Sequence, residues 1–141
     1  MIKNNDVIQK NNVQFREIPI KGKAVYKIFY TIENGRSKVM ESFIKLPKVK
    51  REEIISIMQK MAKNEDYKSQ KVRRIMQAKY DFGEVKPHGH RFFYFIKCGK
   101  NYVYFKYLSK KADSLKDEIY KKIQKEMDYY AEEFEKYIQG N

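Results

Sequence analysis

The chain has 141 residues, the size of one domain, and carries 31 Lys and Arg against 18 Asp and Glu for a net charge of +13. Apolar residues make up 42%, which excludes a disordered polyelectrolyte. The single cysteine, Cys98, excludes an internal disulfide and any multi-cysteine zinc or iron–sulfur site, and no apolar run reaches the roughly 18 residues of a transmembrane helix.

In chain order, residues 1–22 begin polar and Asn-rich. Val13, Phe15, Ile18 and Ile20 then alternate weakly with polar residues, and Pro19 restricts the stretch to an edge or an end. An extra edge strand, a partner-binding arm and a loose extension all fit that pattern. Residues 24–32 (AVYKIFYTI) are β-branched and aromatic and read as a strand. Glu33-Asn34-Gly35-Arg36 reads as a turn, with Gly35 free to take a positive φ. Ser37 caps a short helix that Pro47 stops. A second helix over 49–63 places Ile54, Ile55, Met58, Met61 and Ala62 on one face, so the two helices form an αα-hairpin lying on a sheet.

After a polar connection at 64–70 comes the basic run Lys71-Val72-Arg73-Arg74. Three strands follow, over 82–86, 91–97 and 102–108, the last two joined by the hairpin turn Cys98-Gly99-Lys100-Asn101. The C-terminal segment reads as one long helix over 114–138, opened by the capping pattern Ser114-Leu115-Lys116-Asp117. Leu115, Ile119, Ile123, Met127, Tyr130, Phe134 and Tyr137 make a continuous stripe roughly 35 Å long. That length predicts a distal part that protrudes or packs on a partner.

The charge is uneven. Residues 68–111 hold 12 basic and 2 acidic groups, whereas residues 112–141 hold 5 basic and 8 acidic ones. Such a concentrated positive segment points to a polyanionic partner, nucleic acid or the ribosome. Lys86, His88, Arg91, Lys110 and Lys111 are expected to converge on one sheet face, with Tyr94, Tyr107 and Tyr120 interleaved among them. His90, Arg73 and Arg74 extend the RNA-binding set. Cations hold phosphates and steady a phosphorane, aromatics stack on bases, and a Tyr, His or Lys of suitable pKa replaces a metal in RNA cleavage. His88 and His90 form His-x-His, but two imidazoles alone rarely hold a metal, so neither metal nor cofactor is expected.

The element order, with Glu33-Asn34-Gly35-Arg36-Ser37 to Leu46-Pro47, Gly83-Glu84-Val85-Lys86, Arg91-Phe92-Phe93-Tyr94, Tyr102 to Lys111 and Asp117-Glu118-Ile119, resembles the RelE/ParE toxin superfamily. The phage-derived RelE-like and HigB-type branch is the most similar part of it. The resemblance implies an α+β, RelE-like fold: a small twisted, mainly antiparallel sheet of about four strands, an N-terminal αα-hairpin and a long C-terminal helix. It implies a single cytoplasmic toxin domain of a type II toxin–antitoxin system. The expected activity is that of a metal-independent endoribonuclease that cleaves mRNA in the ribosomal A site and inhibits translation. Arg91, Lys111, Tyr120 and Lys86 would be its catalytic residues, with Lys110 on phosphate or ribosomal RNA. The RelE branch itself carries Lys where this chain has Glu84. A cognate antitoxin, acidic where it meets residues 68–111, is the expected protein partner, and no membrane is involved. Two other readings are a ParE-like inhibitor of DNA gyrase and a non-catalytic, phage-derived protein that binds RNA or protein.

Overall fold

A computed structural model describes residues 12–73, 79–109 and 116–140. In chain order its elements are β1 (Val13–Ile18), β2 (Lys27–Glu33), α1 (Lys38–Ile44), α2 (Lys48–Lys63), β3 (Val72–Arg73), β4 (Gly83–Val85), β5 (Arg91–Ile96), β6 (Asn101–Leu108) and α3 (Asp117–Ile138). The strands form one sheet in the order β1-β2-β6-β5-β4-β3. All neighbours are antiparallel except β2 and β6, which run parallel from Lys27 opposite Asn101 to Tyr30 opposite Tyr104.

The fold is α+β, but the four-stranded RelE-like arrangement is not what forms. The sheet has six strands and is mixed, and the helical hairpin lies between β2 and β3, not ahead of the strands. Three causes account for the difference. The weak alternation at 13–18 becomes a full edge strand because Phe15 buries against α3, with its ring 5.0 Å from that of Phe134. The basic run contributes the two-residue strand β3 because Val72 and Arg73 pair with Val85 and Glu84. The parallel pair depends on a long connection through two helices and three strands, which local pattern does not encode.

Helices cover both faces. Ile54, Met58, Met61 and Val39 of α1 and α2 pack with Ile28, Phe92, Tyr94, Tyr102 and Tyr104 on one side. Tyr120, Ile123, Met127 and Phe134 of α3 pack with Phe29, Phe93, Phe95, Val103 and Phe105 on the other. β5 and β6 therefore bury both faces and read as continuous apolar runs, as central strands between two layers should. Nor does the distal part of α3 protrude as expected. Phe134 is fully buried, and Tyr137 meets Phe15 with ring centroids 5.4 Å apart.

Local signals explain the turns. Asn34 and Gly35 both have positive φ, 53° and 80°, and Glu33 and Arg36 exchange backbone hydrogen bonds of 2.7 and 3.0 Å across them. This is the two-residue turn that an Asn-Gly pair favours. The Ser37 hydroxyl then accepts from the Met40 N–H and opens α1. The capping pattern expected at Ser114, with Leu115, lies outside the described residues, and α3 begins at Asp117.

Candidate functional site

The one parallel pair defines a special end of the molecule. From the C-terminal end of β2 the chain turns into α1 on one face of the sheet. From that of β6 it leads to α3 on the opposite face. Adjacent parallel strands whose connections diverge leave a gap above their carboxyl ends, the usual place for a ligand in open sheets. A crevice of about 580 Å³ occupies that gap, within the range of roughly 300–1,000 Å³ typical of ligand sites.

Its walls come from four elements. Thr31 and Glu33 stand on β2, with Asn34 and Arg36 in the turn and Lys38, Val39 and Ser42 on α1. Phe105, Lys106 and Tyr107 stand on β6, and Glu126 and Tyr130 on α3. The register explains Lys106. Phe93 pairs with Lys106 and Tyr94 with Tyr104, so Phe105 is an extra residue in a β-bulge. The bulge turns Lys106 to the α3 side, where its Nζ lies 3.1 and 3.0 Å from the Glu126 carboxylate oxygens. Glu33 accepts from the Tyr130 hydroxyl at 2.7 Å and from Tyr129 at 3.1 Å. Burial, reinforced by Glu33, pushes the Tyr130 phenol well above its ordinary pKa, so it stays a donor. Arg36 holds Glu41 through two bonds of 3.0 and 2.7 Å, which keeps that carboxyl below its usual range. Lys38 forms no ion pair among the described residues and is exposed at the rim.

Tyr107 links the crevice to the turn before β5. Its hydroxyl lies 2.8 Å from His90 Nδ1, and the two rings are nearly parallel with centroids 6.0 Å apart. Burial lowers the His90 pKa, and the charges of Lys50 and His88 lower it further, so the imidazole is neutral at pH 7. A neutral His bonded to a phenol, beside a crevice that sets Arg36, Lys38 and Lys106 among Glu33 and Glu126, can bond a ligand and accept a proton.

The structure disperses several residues expected to act together. Arg91, 3% exposed, bonds through Nη1 to both oxygens of Glu84, which is fully buried. Arg73 Nη1 lies 3.8 Å from the same carboxylate. Tyr94 is buried among the residues of the α1–α2 side, and Tyr120 is buried on the α3 side against Tyr80 and Phe82. They lie in separate cores on opposite faces and do not interleave with cations on an open sheet. Lys86 is half-buried and His88 is exposed, both in the β4–β5 connection beside His90. Arg74, Lys110 and Lys111 lie outside the described residues. Among the described residues no three His, Cys, Asp or Glu side chains are grouped to hold a metal. No described helix is long and apolar enough to cross a membrane.

Sequence reading missed Glu33, Arg36, Lys38, Lys106 and Glu126. The Asn-Gly turn was visible, but only the pairing of β2 with β6 brings it against Lys106. No family model matches the chain, and neither the curated proteins nor the solved structures include a significant match.

Proposed function

We propose that the chain is an RNA-binding protein that takes a single-stranded segment into the crevice above β2 and β6. One observation carries this reading: Lys38, which forms no ion pair among the described residues, shares a cleft of ligand size with Arg36, Lys106 and Tyr107. Phosphates need the cations, and a base needs an aromatic face. The net charge of +13 supplies the long-range attraction. The test is fluorescence anisotropy with a labelled U20 RNA from 50 to 200 mM salt. Binding should weaken with log salt at about −0.7 per phosphate contact. Lys38→Glu should weaken it further while the protein stays folded. Absence of binding at 50 mM salt would sink the reading.

The His90–Tyr107 bond supports a second reading, RNA cleavage, and the sequence resemblance would make that cleavage the act of a toxin on ribosome-bound mRNA, held in check by an acidic antitoxin. In that case the neutral His90 takes the proton from the attacking 2′-hydroxyl as general base, and the leaving 5′-oxygen takes its proton from water. Controlled expression with mapping of mRNA 5′ ends separates the two. New ends within translated frames, lost in His90→Ala, mean cleavage. Their absence beside intact RNA binding leaves a binding protein.

A further inference from the structure

The end of the sheet opposite the crevice carries a second concentration of charge. Three segments distant in sequence meet there. Val25 and Tyr26 both donate backbone N–H groups to the Ala62 carbonyl at the end of α2, at 2.8 and 3.0 Å. Lys27 donates to the Lys100 carbonyl at 2.9 Å, tying the same segment to the β5–β6 hairpin. That hairpin turns through Cys98 and Gly99, both at positive φ, and the Asn101 side chain closes it on the Lys97 and Cys98 carbonyls. Gly22 sits so near α2 that a side-chain carbon there would lie 4.0 Å from Lys63 Nζ.

The result is a corner bearing Lys21, Lys23, Lys27, Lys63, Lys97 and Lys100. Five are exposed and Lys97 is half-buried. Of the acids nearby, Glu65 pairs with Lys100 at 3.2 Å, and Asp66 lies in the turn after α2. Of these six lysines only Lys100 forms an ion pair among the described residues. Six like charges gathered by backbone bonds repel one another, and this cost is offset when a polyanion covers them. Tyr26, in the same segment, is half-buried and stacked on Tyr102 with ring centroids 4.5 Å apart, so the exposed lysines dominate the corner and suit phosphates.

We propose that this lysine corner is a second polyphosphate-binding surface that tracks the backbone of the RNA whose single-stranded segment enters the crevice. The identity of the polyanion rests on the RNA reading above; the surface itself does not. β6 runs from Asn101 at the corner to Leu108 near the crevice, about 23 Å at strand rise, or about seven stacked nucleotides. A long RNA reaches both ends, whereas a tetranucleotide does not.

The test compares U4, U20 and inorganic polyphosphate on the wild type and on the quadruple variant Lys21→Gln, Lys23→Gln, Lys63→Gln, Lys100→Gln. U20 affinity should fall at least tenfold at 100 mM salt, and the salt slope should flatten by about 2–3. U4 affinity should not change. The melting temperature should stay close to the wild-type value, since relief of the lysine repulsion offsets loss of the exposed Lys100–Glu65 pair. The matching Lys→Arg quadruple variant should bind U20 like the wild type. If the Gln variant binds U20 and polyphosphate as tightly as the wild type does, the corner is not a binding surface and the proposal is overturned. If the wild type binds neither RNA but binds polyphosphate, and the Gln variant loses that binding, the corner stands and the RNA reading falls.

Discussion

Arg91 and Glu84 form a buried ion pair, with Arg91 Nη1 3.0 and 3.2 Å from the two carboxylate oxygens. The β4–β5 pairing brings them together, since Glu84 lies opposite Phe93, two residues along the strand from Arg91. A charge left alone in such a place costs far more than the pair contributes. Glu84→Gln should therefore destabilise the protein by about 3–5 kcal/mol, and Arg91→Ala by a similar amount. Urea denaturation measures both. An Arg91→Ala protein of unchanged stability that fails to bind RNA would instead place Arg91 in direct contact with phosphate.

His90 should titrate below its ordinary value of 6.5, because burial and the nearby charges of Lys50 and His88 oppose protonation. The unfolded chain then binds more protons than the folded one as the pH falls through 6.5. Stability is thus whole above about pH 6.5 and declines below it. NMR titration of the His90 ring reads the midpoint directly. Tyr107→Phe removes the hydroxyl partner at Nδ1 and should change the His90 chemical shift with little effect on the fold. A midpoint above 6.5 would overturn the assignment.

Tyr80 and Asp117 bond to each other where the start of α3 meets the segment before β4. The bond, with the charge of Asp117, pushes the Tyr80 phenol up to about 12 and holds the Asp117 carboxyl below its usual range. The two signs differ. The Tyr80 contribution is full below pH 10 and is lost as pH rises through about 12. The Asp117 contribution is present above its ordinary pKa of 3.8 and is lost as pH falls below it. Ultraviolet titration should find Tyr80 ionising late together with Tyr130, and Asp117→Asn should return Tyr80 towards 10 while Tyr130 stays late.

Glu33 joins the end of β2 to α3 through Tyr130 and Tyr129. Tyr130→Phe should cost about 1.5–3 kcal/mol, as a bond to a charged group does, and Tyr129→Phe, more exposed, should cost less. Chemical denaturation of both single variants and the double variant gives the coupling. Equal small losses would mean that Glu33 is held by solvent and not by the phenols. Tyr130→Phe should also weaken U20 binding, because the bond fixes one wall of the crevice.

Much of the fold was legible in the chain. Ser37, Pro47 and the Ile–Met stripe mark α1 and α2 because capping and periodicity act over a few residues. The Cys98-Gly99 turn and the aromatic runs beside it mark β5 and β6 for the same reason. The candidate site was not legible. Arg91 and Tyr120 read as functional from their residue types, yet the tertiary structure buries both. Residue type states what a side chain can do, and burial decides whether it meets a ligand.

Composition and local pattern fix an α+β chain with a strong positive charge, and nearby residues set its helix and turn boundaries. Long-range packing supplies the rest. It added β1 and β3 to the sheet and placed β2 parallel to β6. It sent one helical layer to each face and left the crevice between them. It also gathered lysines from three segments at the far end. β2 and β6 lie tens of residues apart in the chain, and their pairing depends on burying both faces of the sheet at once. No local window of sequence contains that balance.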